Sequence, residues 1–306
     1  MMDDEIDIIH AIGVRSFQAF IAAIVSKQKK IPLVISDQGG LTTHPDLKKS
    51  SFLKKFLIKL QSPLIRFIIK QATKVIVANE YEKNIFKNFC NESKIIIIKN
   101  GIDLNELYSS NTNFIQKYSI EKKFILFLGR FHQVKGIDTL LESIKQIKNN
   151  PLVNEIIFVI MGVDFGYQKV IKKTIKDYDL SERICLIEKP PRSDVISAYS
   201  QCEFLVLPSK WELSPLTPLE GFAFKKTLVS TTAHGIPFTI KHNENCILIE
   251  PENYAQLSTA ILDLLQNEEK CKKLGKSGYD LVHSECNSQQ MTKETMRIYE
   301  QLIKDN

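Results

Sequence analysis

Short runs that are apolar at nearly every position recur along the chain, separated by longer stretches in which apolar residues return every three or four positions. The runs are IDIIHA, PLVISD, KVIVAN and KIIIIKN in the first third, then FILFLG, EIIFVIMG, RICLIE, EFLVLPS, TLVST and CILIE. A strand buried on both faces reads this way, and such strands alternating with helices predict parallel sheets built from βαβ units. A strand-poor stretch, DLNELYSSNTNFIQKYSIEKK, follows Asn100-Gly101 and separates two such series. The pattern therefore predicts two α/β domains with doubly wound parallel sheets, over residues 1–110 and 111–306. Helical patterns fill the chain from about Asn253 onward.

Length and composition agree with this division, since 306 residues suit about two domains and 43% hydrophobic residues can fill their cores. The six cysteines fall at irregular spacings with no CxxC pair, which fits reduced structural thiols and neither a zinc ribbon nor a disulfide scaffold. The opening MMDDEID is acidic where a signal peptide is basic, and no apolar run approaches the roughly 18 residues that span a bilayer. The expectation is a cytoplasmic protein.

Charge adds one feature. The net charge is +6, and residues 47–71 hold seven Lys or Arg and no acid. Phe52, Phe56 and Leu60 recur there at helical spacing, Pro63 breaks the run, and Leu64, Phe67 and Ile68 resume it. The stretch reads as a basic amphipathic helix pair. It suits packing on a sheet with its lysines in water, the reading the pattern favours, or contact with an anionic membrane surface. No aromatic-rich basic strand or recognition helix accompanies it, so nucleic acid is not an expected partner.

In doubly wound sheets a ligand sits beyond the carboxyl ends of the strands, which directs attention to the residues just after each run. FILFLG ends at Gly129 and continues into Arg130, with Lys135-Gly136 before the helical pattern IDTLLESIKQIK. Two cations in one strand-to-helix loop can reach a phosphate that the helix N-terminus also attracts, or can simply be solvated. EFLVLPS runs into WELSPLTPLEGF, which spaces Glu212 and Glu220 eight positions apart with Pro215 and Pro218 between them. T-P-L-E reads as a capping box, with Thr217 as the N-cap, Pro218 first in the helix and Glu220 in its first turn. Glu220 then serves either as a cap or as a ligand contact, and Glu212 lies on the preceding loop.

GRFHQVKGIDTLLESI followed by LVLPSKWELSPLTPLEGFAFKKTLVST resembles the nucleotide-sugar-binding half of the retaining GT-B glycosyltransferases, the "group 1" family (glycosyltransferase family four). Glu212 and Glu220 match its E-x7-E motif, and NGID, IMGVDFG and AYSQCEFLVLPS fit the same template in the same order. The resemblance implies two Rossmann-like domains. It also implies transfer of a sugar from a nucleoside-diphosphate sugar to a glycan or lipid-linked acceptor, with retention and without a metal or other cofactor. By the same resemblance Arg130 and Lys135 bind the donor diphosphate beside Gly129, Glu212 contacts the sugar and Glu220 the ribose. The backbone at Leu216 and Thr217 takes the phosphates, and Lys189-Pro190 lies where the base is held. The expected catalytic residues are Glu212, Arg130 and Lys135. On the acceptor side Gln38 and His10 are candidates, with His44 nearby. A membrane contact through residues 47–71 implies a place at the inner face of the cell membrane and a role in cell-surface polysaccharide synthesis.

Several positions depart from the family pattern. Leu213-Ser214-Pro215 follows Glu212 where E-G-F-G is usual, and Phe238 stands where a later acid is expected. The chain also begins where relatives have already completed about two βα units, so the first domain is expected to be shortened. Two other readings stand beside glycosyl transfer: phosphorolysis or epimerisation on the same fold, and an inactive sugar-nucleotide-binding remnant. Asp177-Tyr178-Asp179 spells D-x-D, but it follows a helical pattern and reads as a solvated helix end.

Overall fold

The computed structural model describes residues 6–37, 39, 41, 52–108 and 113–305, with no side-chain description for 52–60. Each of the ten apolar runs yields one strand. The chain divides into two compact units, residues 1–100 with 289–306, and residues 101–288. The division thus falls at Asn100-Gly101, earlier than the expected 110, and the last helix, Ser288–Lys304, packs with the first unit instead of the second.

In the first unit, β1 (Ile9–Ile12), β2 (Leu33–Ser36), β3 (Lys74–Val77) and β4 (Ile95–Ile97) form a parallel sheet in sequence order. Side chains alternate between its faces because a strand has period two. Leu33, Ile35, Val75 and Val77 join Ala19 and Ala23 of the helix Phe17–Lys29 and Ile65, Ile68 and Ile69 of the helix Phe52–Gln71. Val34 and Ile76 face the other way, onto Ile298 and Leu302 of the C-terminal helix.

The helix Phe52–Gln71 runs unbroken through Pro63, where the sequence predicts two helices. An internal proline costs about 3 kcal/mol in a lost hydrogen bond and a ring clash. Burial of Ile65, Ile68 and Ile69, each no more than 5% exposed, outweighs it at about 1.5 to 3 kcal/mol per side chain. Ile68 is buried and Phe67 partly buried as expected, Ile65 and Ile69 complete the stripe, and Leu64 is left 47% exposed.

The second unit holds β5 (Lys123–Leu128), β6 (Ile156–Gly162), β7 (Ile184–Glu188), β8 (Leu205–Leu207), β9 (Leu228–Thr231) and β10 (Ile247–Ile249). All six are parallel, in the order β10-β9-β8-β5-β6-β7. The order is the Rossmann one, read from the other edge, and it reverses between β5 and β8. Phe127, Phe158, Val206 and Val229 bury one face under the helices Ile137–Ile147 and Tyr254–Gln266. Phe124, Val159, Leu205 and Leu228 bury the other under Arg192–Gln201 and Leu216–Ala223.

Candidate functional site at the switch point of the second sheet

The reversal leaves a crevice beyond the carboxyl ends of β5 and β8, because the connections from these neighbours leave the sheet in opposite directions. Gly129 and Arg130 follow β5, and Pro208 and Ser209 follow β8. The backbone after β5 is tied to that after β6: Gly129 N–H donates to the Met161 carbonyl (3.1 Å), Phe131 N–H to Val163 (2.8 Å) and Phe165 N–H to Phe131 (3.0 Å). Phe131 is fully buried, and its neighbour Arg130 is exposed. The Arg130 guanidinium lies 5.1 Å from the centroid of the Phe165 ring, a cation–π contact that leaves its fork of donors open to an anion.

Lys135 ends a short 3-10 helix, Gln133–Lys135, whose start is capped by the His132 ring accepting from Val134 N–H (3.2 Å). Gly136 then turns the chain at φ 69°, and a Cβ there would lie 1.9 Å from the Pro208 carbonyl oxygen. Only glycine lets the two strand-end loops approach this closely. The approach delivers Lys135 to Glu212: its ammonium bonds Glu212 Oε1, which also accepts from Ser209 Oγ at 3.2 Å. Both side chains are nearly buried, at 13% and 11% exposure. The Glu212 carbonyl accepts from Gly235 N–H (3.0 Å), which pins the loop of altered sequence, and Leu213 packs inward.

The helix carrying Glu220 begins at Leu216, with extended Pro215 as its N-cap and no side-chain cap. The expected capping box is absent: Thr217 is the second helical residue, and Glu220 lies past the first turn. The reason is that none of the first four N–H groups of a helix has an intrahelical acceptor, so Pro218 is tolerated third as well as first. Leu216 and Thr217 therefore contribute uncapped N–H groups, and Pro218 contributes none. Glu220 is held from another helix instead. Its Oε1 accepts from Arg192 Nη2 (2.6 Å) and its Oε2 from the Tyr199 hydroxyl (2.6 Å). Arg192 also bonds both oxygens of Glu106, Nε to Oε1 at 3.0 Å and Nη2 to Oε2 at 3.2 Å. Glu106 and then Glu220 raise the Arg192 guanidinium further above its ordinary range, and burial raises the Tyr199 hydroxyl well above that of a free phenol.

Lys189 and Pro190 follow β7, with Lys189 at φ 46° and its N–H on the Gly162 carbonyl (2.8 Å). The site thus joins Lys135 directly to Glu212, while Glu220 belongs to a separate network with Arg192, Tyr199 and Glu106. Sequence reading missed Arg192, Tyr199 and Phe165. Tyr199 lies inside AYSQCEFLVLPS and Arg192 directly after the Lys189-Pro190 loop, so position was a signal for both, but their partners are 21 and 28 residues away. Asp177 pairs with Lys173 one helical turn before it, as a solvated helix end does.

In the first unit, Gln38 and His44 lie outside the described residues. His10 sits in a cavity of about 310 Å³ beyond the carboxyl ends of β1 to β4, beside Ser36, Asp37, Asn100, Thr295 and Tyr299. Its Nε2 is 2.7 Å from Ser36 Oγ, and its Nδ1 meets the Tyr299 hydroxyl. Burial lowers its pKa, so the neutral ring donates through one nitrogen and accepts through the other.

Two Rossmann-like units, one with cations and a carboxylate gathered at its switch point, place the chain in the class of doubly wound α/β proteins. Residues 110–281 match the family described as Glycosyl transferases group 1, and residues 1–106 match Glycosyltransferase Family 4. The chain belongs to the group 1 glycosyl transferase family. It is 28% identical over 262 residues to an uncharacterized glycosyltransferase of Methanocaldococcus jannaschii, covering 85% of this chain and 66% of that relative. It therefore spans just under two thirds of that relative's length. It is 22% identical over 303 residues to the Escherichia coli protein named UDP-Gal:alpha-D-GlcNAc-diphosphoundecaprenol alpha-1,3-galactosyltransferase, covering 91% of this chain and 73% of that one. The fold is similar to that of Anabaena HepE, solved in complex with UDP, at TM-score 0.79 and 16% identity over 96% of this chain and 79% of that one.

Proposed function

We propose that the protein is a glycosyltransferase that moves a sugar from a nucleoside-diphosphate sugar to a glycan or lipid-linked acceptor, with retention and without a metal. The observation that carries the reading is the Lys135–Glu212 pair across the ends of β5 and β8, with Arg130 exposed in the same loop. The named specificity of the E. coli relative and the UDP complex of HepE support a uridine nucleotide as donor and a diphospholipid-linked acceptor.

Sugar transfer breaks the bond between the anomeric carbon and the diphosphate oxygen, and negative charge grows on the departing phosphate. Arg130, Lys135 and the uncapped N–H groups of Leu216 and Thr217 stabilise that charge without reorganising. Glu212 orients Lys135 and offers its remaining acceptor capacity to the sugar hydroxyls. Glu220 accepts from the ribose, and Lys189-Pro190 borders the base. His10 in the first unit takes the acceptor side, in a cavity large enough for a small amphiphilic group.

Among the described residues no helix is long and apolar enough to cross a membrane. Peripheral contact at the inner face of the cell membrane is the proposed route to a lipid-linked acceptor, through the basic helix Phe52–Gln71, where Arg66 and Lys70 are exposed. The test is incubation of the protein with labelled UDP-, GDP- and ADP-sugars and a polyprenyl-diphosphate-linked glycan, followed by isolation of the lipid. Label on the lipid supports transfer. Label only in free sugar phosphate or in an isomerised donor refutes it.

A further inference from the structure

Arg192 and Tyr199 lie on the helix Arg192–Gln201 and converge on the two oxygens of one carboxylate. Tyr199 is fully buried, and its ring lies 6.3 Å from that of Phe224 with 11° between the planes, so its hydroxyl has little freedom to move. Arg192 is braced from its far side by the two bonds to Glu106. A glutamate side chain free to rotate loses rotamer entropy when it binds a ligand, and a glutamate already fixed does not. Each carboxylate oxygen has two acceptor positions. Tyr199 and Arg192 take one on each oxygen, which leaves one on each for a vicinal pair of hydroxyls.

We infer that Arg192 and Tyr199 are positioning residues that hold the Glu220 carboxylate in the orientation that receives the 2′- and 3′-hydroxyls of a nucleoside diphosphate. The inference rests on the donor reading above and extends it from the contact residue to the pair that aims it. A merely structural pair would satisfy the same hydrogen bonds but would not distinguish a ribose from a sugar lacking its diol.

The test is calorimetric titration of UDP, GDP and ADP, each with its 2′,3′-dideoxy counterpart, into wild type, Tyr199→Phe, Arg192→Gln and Glu220→Ala. Tyr199→Phe keeps the buried ring and removes one hydroxyl, so it tests the inference even if Arg192→Gln fails to fold, and melting curves establish the folding of each. Wild type is expected to bind one ribonucleotide at least about tenfold more tightly than its dideoxy form, and Glu220→Ala to erase the preference. Tyr199→Phe and Arg192→Gln are each expected to weaken the ribonucleotide roughly tenfold and leave the dideoxy form within about twofold. If Glu220→Ala erases the preference while Tyr199→Phe retains it in full, or weakens both ligands alike, the inference is overturned and the donor reading stands. If wild type binds no nucleotide, the donor reading falls and takes the inference with it.

Discussion

Lys135 and Glu212, 77 residues apart in sequence, form an ion pair that joins the loops after two adjacent strands, β5 and β8. Glu212 is nearly buried, and its bonds to Lys135 and Ser209 share one oxygen. Removing one member of a nearly buried pair strands the other charge, which costs on the order of 3 kcal/mol. Lys135→Met is therefore expected to destabilise the second unit by about that amount, with Lys135→Met/Glu212→Gln recovering part of it. Trp211, the one tryptophan of the chain, is next to Glu212, so urea unfolding followed by its fluorescence measures both changes. Equal loss in single and double variants would mean that a stranded Glu212 charge is not what Lys135→Met costs.

Two glycines with positive φ separate backbone strain from loop contact. Gly136 has φ 69° and a Pro208 carbonyl 1.9 Å from the Cβ position, whereas Gly166 has φ 89° and open space around it. Gly166→Ala carries only conformational strain, about 1 kcal/mol. Gly136→Ala must also push apart the loops that bring Lys135 to Glu212, and is expected to cost several times more and to reduce sugar transfer at least tenfold. Parallel unfolding and transfer assays on the two variants check the contrast.

Glu82 supplies a pH signature in the first unit. Its N–H donates to Asn79 Oδ1 (3.1 Å) and its Oε2 accepts from Ala78 N–H (2.8 Å), a buried cap for the helix Glu80–Phe86. Burial, with the nearby Asp37 carboxylate adding to it, raises its pKa from 4.5 to about 7. The folded state therefore holds this proton more tightly than the unfolded chain. Stability falls as pH rises between those two values and levels off above the higher one, by roughly 3 kcal/mol in all. Glu82→Gln keeps both hydrogen bonds without the titration. Between pH 4.5 and 7 the stability of wild type relative to Glu82→Gln is expected to fall. A constant difference would contradict the assignment.

The ten strands were legible because a strand buried in a sheet declares itself in a short unbroken apolar run, as LVIS and IIFVIMG do. The placement of Arg130, Lys135 and Glu212 in the loops after β5 and β8 was legible because each loop opens where an apolar run ends. The start of the helix at Leu216 was not, because proline is compatible with several positions of a first turn. Pro63 misled for the opposite reason: local propensity yielded to an apolar stripe that only the sheet can bury. The bonds of Arg192 reach Glu106, 86 residues away, and Glu220, 28 residues away, and no local pattern carries such a relation.

The proposed donor site is the switch point of the second sheet, where Arg130, Lys135 and Glu220 would hold a nucleoside-diphosphate sugar. Calorimetric titration of UDP-, GDP- and ADP-sugars into wild type and into Arg130→Ala, Lys135→Ala and Glu220→Ala tests it most directly. Wild type is predicted to bind one of these donors, and each substitution to weaken that binding roughly tenfold or more, as loss of a charge-assisted contact requires. No binding by wild type, or binding that none of the three substitutions changes, would contradict the account.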